Sequence, residues 1–241
     1  TGKPVSILPL VVGYRTKASV HSLLKLWQEK TSMQLHSIEE EAQLKEAFER
    51  SLDLVASFFH LGIPSSLDFL SRRDSLCDAL LTQAEQMASI KSEGTILDRL
   101  FRLRFHAENL IYRAKEHALT ELALEKLHYQ QQIAKLYLRN CQVVDILEYL
   151  DPSYLVGPDK DGRMQESAYN LLDLINRIEG GTINTRLCPK GKKAIIYAGD
   201  AVRLESEELS SESRKQRIRR INTLVEAALQ QTSEELSNIE F

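Results

Sequence analysis

Glu125-x-x-His128 sets a carboxylate and an imidazole three residues apart, a spacing that brings two metal ligands onto one face of a helix. A carboxylate-bridged di-iron bundle needs a second such pair on a facing helix and two further inward glutamates. No other Glu precedes a His by three in this chain. His106, His117 and His128 recur at intervals of eleven residues. On a continuous helix they would share one face to within about 20° per step, yet stand about 16 Å apart, too far to share an ion. They read as polar or interface histidines, and no metal or cofactor is expected.

Other chemistries fail on spacing. In GPDKDGRMQESA, aligning Gly162 with the glycine of a calcium loop puts Gly157 at the first ligand position and Ala168 where a bidentate Glu belongs, so the segment reads as a polar turn capping the next helix. There is no G-x-x-x-x-G-K-[ST], no G-x-G-x-x-G after a strand and no G-x-S-x-G elbow. Cys188 has Lys190, Lys192 and Lys193 close behind it, a setting in which a thiol becomes reactive, but no histidine base accompanies it and it reads as a turn cysteine.

Charge is distributed unevenly. The chain carries -3 overall, which argues against a dedicated nucleic-acid binder. Between Thr182 and Ile221, ten Lys or Arg face five acids, so that window is +5 and the remainder -8. One end of the molecule thus has its own local potential. The basic run SRKQRIRRI (Arg214, Lys215, Arg217, Arg219, Arg220) has the composition of a surface for nucleic acid or anionic lipid. No aromatic residues are interleaved as stacking platforms, and the run reads first as a solvated helix face.

The elements that would position these groups are mostly helices. After an extended N-terminal segment (1–16), Val20, Leu23, Leu24 and Trp27 recur at helical spacing. Ser37-x-x-Glu40 reads as a capping box opening a helix whose buried stripe is Ile38, Ala42, Leu44, Phe48, Leu52, Val55 and Phe59. A short helix around Leu67–Leu70 precedes another from about Asp74 to Lys91, and Thr95-x-x-Asp98 caps the next. From Ile96 to Leu150 there is no Gly and no Pro, and the apolar pattern continues, so this stretch reads as one very long central helix of about 80 Å, or as two helices broken near Tyr129–Gln132. A further helix carries Ala168, Leu171, Leu172 and Ile175.

The stretch 182–198 stands apart, with two short runs rich in Ile, Thr and Tyr on either side of Cys-Pro-Lys-Gly, and is expected to form a β-hairpin. A Ser/Glu-rich linker (205–213) leads to a C-terminal basic amphipathic helix (214–236) with the stripe Ile218, Ile221, Val225, Ala228 and Leu236. No repeat with a period of 20 to 50 residues is present. The fold class expected is all-α, a bundle of six to eight helices with a single small β-hairpin, in one domain over 1–241.

With 43% apolar and 27% charged residues, neither disorder nor a membrane class is favoured. The apolar run Val5–Val12 is short, is broken by Pro9 and lacks a small-residue cleavage site, so it does not read as a signal peptide. No run reaches the roughly 18 residues of a membrane span. Cys77, Cys141 and Cys188 are odd in number and widely spaced, which fits a reducing compartment such as the cytoplasm. The chain begins at Thr1 rather than Met, which is compatible with its being a piece of a longer protein.

The function expected is a non-enzymatic protein–protein interaction domain (adaptor, scaffold or effector module) docking another protein through helix faces and the hairpin. Its partner-binding residues would be Cys188, Pro189, Lys190, Lys192, Lys193, Ile195 and Tyr197, because a lone hairpin must be covered or used; the competing reading is that the hairpin lies across the bundle with its isoleucines in the core. The alternatives are a binder of nucleic acid or anionic surfaces through 186–220 and an enzyme with an unrecognised helical active site.

Overall fold

Six of the seven helices among the described residues open on a side chain that accepts the N–H three residues further on: Ser19, Asp68, Thr95, Thr120, Asp159 and Ser213. Each such cap is worth about 1 kcal/mol. The structure is a computed structural model that describes residues 5–62, 64, 66–112, 120–157, 159–204 and 213–239. Its helices are α1 (Val20–Thr31), α2 (Glu40–Phe58), α3 (Phe69–Ala88), α4 (Ile96–Ile111), α5 (Glu121–Leu147), α6 (Lys160–Ile178) and α7 (Arg214–Ser237). The strands are β1 (Val5–Ile7), β2 (Leu10–Arg15), β3 (Lys193–Ala198) and β4 (Val202–Leu204). The fold is all-α with a small β ribbon. No helix among the described residues is long and apolar enough to cross a membrane.

The chain divides into two compact units. The larger, Ser19–Leu155 with Met164–Cys188, is helical. In it α3 packs on α5, and α4 packs on both. Its core includes Trp27, Phe48, Leu80, Leu103, Tyr137, Leu147 and Leu171, all essentially without solvent contact. Burial of one such side chain contributes roughly 1.5–3 kcal/mol. Cys77 and Cys141 are buried among them. Burial pushes both thiols up to about 12, so they act as small hydrophobes.

The Ile96–Leu150 stretch is two helices, and they do not break at Tyr129–Gln132, which is helical. α4 ends at Ile111, and Thr120 accepts the Ala123 N–H to start α5, at 27 residues the longest described helix. His117 and the expected core positions Ala114 and Ala118 lie outside the described residues. The two helices run antiparallel: Gln131 Nε2 donates to the Leu110 carbonyl at 3.0 Å, and Arg104 pairs with Asp145 at 3.0 Å. A deeper link joins α4 to α3, where Arg99 meets both oxygens of Glu85 at 2.8 and 3.0 Å and also bonds Asp78 and Thr82.

Three further boundaries differ from the sequence pattern. The Thr95–Asp98 capping box forms, but the one read at Ser37 does not. Glu46 instead accepts the backbone N–H groups of His36 and Ser37 and the Ser37 hydroxyl, tying down the loop before α2 and leaving Ile38 92% exposed. Asp68 caps one continuous helix where a short helix and a second from Asp74 were expected. In the third case, 182–187 folds as turns, because the Asn176 amide donates to the Thr182 carbonyl and the Thr185 hydroxyl donates to the Asn176 side-chain oxygen.

At Glu46, burial raises the pKa, but the backbone donors at His36 and Ser37 and the His36 and Arg50 side chains outweigh it and hold the carboxyl at about 2. A carboxyl held low stabilises the fold fully above its unfolded value near 4.5, and that contribution fades as pH falls from there toward 2. Glu46→Gln should therefore cost about 1–2 kcal/mol at neutral pH, after allowance for solvent screening. In urea titrations the gap between variant and parent should close as pH drops below about 4.

The smaller unit comprises residues 1–18, 156–163 and 189–241. The expected ribbon is there, with β3 as one arm, but the other arm is the N-terminal segment. β2 pairs antiparallel with β3, from Leu10 opposite Ala198 to Arg15 opposite Lys193, and β1 pairs with β4. Between the two ladders Leu8 and Pro9 face three residues, Gly199, Asp200 and Ala201, a bulge where proline has no N–H to give. α7 lies against β2, β3 and β4. The linker read at 205–213 lies outside the described residues except for Ser213, the α7 cap.

Candidate docking surface

Alternation along a two-stranded ribbon gives it two faces. One is turned to α7: a Cβ added at Gly13 would meet the Leu236 side chain at 3.0 Å, and one added at Gly199 would meet Thr232. Pro9, Val11, Ile195 and Tyr197 alternate in step with these glycines and are buried or half-buried. The opposite face carries three cross-strand pairs, Leu10 with Ala198, Val12 with Ile196 and Tyr14 with Ala194. On it Leu10, Val12, Tyr14 and Ile196 are between 46% and 70% exposed. These apolar residues are gathered on one face instead of scattered, which makes the face a candidate for docking.

One end of this face is basic. Pro189, Lys190 and Gly191 form the turn into β3, with Gly191 at φ 67°. Lys192 lies over the Tyr14 ring at 4.6 Å, a cation–π contact, and Lys193 stands opposite Arg15 in the ladder. Lys17 approaches Gly191, so the lysines at 17, 190, 192 and 193 surround the end of the apolar face.

Of the residues expected to bind a partner, Lys190, Lys192 and Lys193 are gathered at this end, and Pro189 shapes the turn. Ile195 and Tyr197 lie on the α7 face. Cys188 is exposed and belongs to the larger unit. The expected basic patch Arg214, Lys215, Arg217, Arg219 and Arg220 is exposed in the first two turns of α7. Ile218, expected in the buried stripe, is exposed with it, because only the later turns of α7, around Thr232 and Leu236, are buried. Leu10, Val12, Tyr14, Lys17 and Ile196 are surface residues that sequence reasoning missed. The signal available was a pair of glycines, Gly13 in β2 and Gly199 just after β3, which mark where a helix comes close to the backbone.

No protein-family model, curated protein or solved structure matches this chain. Function has to be argued from its own surface. Among the described residues no group of three or more His, Cys, Asp and Glu could hold a metal ion. Glu125 and His128 are both exposed on α5. His106 is engaged at 2.7 Å with the Tyr137 hydroxyl, whose pKa burial pushes up to about 12.

Proposed function

We propose that this chain is a protein–protein interaction module without catalytic activity, and that it docks another protein on the outward face of the β2–β3 ribbon. The observation that carries the reading is the run of three adjacent apolar cross-strand pairs on that face, while α7 occupies the other. A face of this kind, bordered by lysines, has the make-up of an interface: an apolar centre with a charged margin. The test is affinity capture from cell extract with the parent and a Val12→Lys/Ile196→Lys double variant, with mass-spectrometric identification. The variant is expected to lose the captured protein while its melting temperature stays within about 2 °C of the parent. Equal capture by both would end this reading.

A second reading, a binder of nucleic acid or anionic surfaces through 186–220, is favoured by one observation. The first turn of α7 holds cations and no acid, next to the positive end of the helix dipole. Its signature is an affinity that falls steeply with salt, by a log–log slope of about -0.9 per phosphate contacted, whereas apolar docking changes little.

A further inference from the structure

The Gly199 N–H donates to the Pro9 carbonyl at 3.0 Å, and these two residues continue the β2–β3 register. That fixes the phase of the ladder. In an antiparallel pair, residues that exchange hydrogen bonds alternate with residues that do not. Val11 with Tyr197 and Gly13 with Ile195 are therefore the bonded pairs, and Ala194, Ile196 and Ala198 turn their N–H and C=O groups away from β2. Among the described residues no strand lies on that side of β3. The residues with free edge groups are thus the ones whose side chains form the outward face.

Charge gives this edge a direction. Lys190, Lys192 and Lys193 stand at its start, and the first acid along the chain, the exposed Asp200, comes just beyond its end. Resting on the docking role above, we propose that the free edge of β3 takes up an extended segment of the partner protein as a third strand. The segment runs antiparallel to β3, has apolar side chains at alternate positions and is acidic at its C-terminal end. The antiparallel sense brings that end to the lysines and keeps it from Asp200. β3 has six residues, so a segment of about six suffices. Backbone pairing supplies affinity, Ile196 and its neighbours select apolar side chains, and the lysines select polarity.

The probe is a labelled peptide of about seven residues, alternating Val and Thr and ending in two Glu, measured by fluorescence anisotropy against the full chain. Two controls carry the glutamates at the N-terminus or replace them with lysines. The C-terminally acidic peptide is expected to bind at least about tenfold more tightly than either. Ile196→Pro removes an edge N–H while leaving the ladder bonds of Ile195 and Tyr197, and should abolish binding with the helical circular dichroism unchanged. Lys190→Glu/Lys193→Glu should transfer preference to the lysine-ended peptide.

A readout that needs no variant uses peptides N-methylated at alternate residues: one pattern should abolish binding and the other leave it intact. Absence of peptide binding, or binding indifferent to both methylation patterns, overturns the proposal. If Val12→Lys/Ile196→Lys still loses the captured protein in that event, the face docks its partner without the edge. If capture is also unaffected, the docking role itself fails.

Discussion

Arg99→Leu is expected to destabilise the larger unit by about 3–5 kcal/mol. Glu85 is 1% exposed and Arg99 5%, and the guanidinium meets the carboxylate with two nitrogens. Leucine in place of Arg99 leaves a carboxylate buried beside only Arg102, 3.7 Å away and a poorer partner. The cost is mainly that of stranding the anion, not the net worth of the pair. Two companion variants separate these contributions. Glu85→Gln leaves Arg99 bonded to Asp78 and Thr82, and should cost only about 1–2 kcal/mol. Arg99→Leu/Glu85→Leu strands no charge and should recover at least half of the single-variant loss. Urea denaturation followed by circular dichroism gives all three values. A double variant no more stable than Arg99→Leu would show that the stranded carboxylate is not the source of the loss.

Gly199→Val should release α7 from the ribbon at a cost of about 2–3 kcal/mol. A Cβ at position 199 falls 2.0 Å from the Thr232 hydroxyl oxygen and 3.0 Å from its Cβ and Cγ2. Thr232 is buried, and its hydroxyl is held by the Ala228 carbonyl at 2.6 Å, so it has little room to turn aside. Hydrogen exchange on the full chain should show amides around Thr232 and Leu236 losing protection while those of α3 and α5 keep theirs. Gly199→Ala/Thr232→Ala removes the hydroxyl and methyl contacts and should restore part of the protection. Unchanged exchange in Gly199→Val would mean that the close packing of helix on ribbon does not hold α7.

Local signals carried much of the helical part of the fold into the sequence. The Thr95 capping box, the stripe of α1 and the core cysteines are written in residues within a turn or two of one another. What failed to show is what depends on distant partners. Glu46 takes the donors of His36 and Ser37 from ten and nine residues away, so a capping box that looks complete at Ser37 is never formed. The absence of Gly and Pro between Ile96 and Leu150 left the division into α4 and α5 without a local marker. The stretch 182–187 has strand-like composition, but Asn176 holds it in turns, and β3 finds its partner near the other end of the chain.

The outward face of the ribbon was only half legible for a related reason. Alternation says that Ile195 and Tyr197 share a side and that Ile196 takes the other, but not which side is covered. Only the position of α7 against Gly13 and Gly199 decides that. The lysines could be read directly, because charge at a turn stays in water whatever the strands around it do.

The ribbon also sets an order of events during synthesis. β2 and β3 lie about 180 residues apart in the chain. At translation rates of about 5–20 residues per second, β2 waits roughly 10–35 s for its mate to emerge. Through that interval the greasy Leu8–Tyr14 segment lacks its β3 partner, so the nascent chain presents a sticky strand while the helices behind it are already assembling. Closing so long a loop comes late in folding, and the outward face of the ribbon is therefore completed only after β3 has been made.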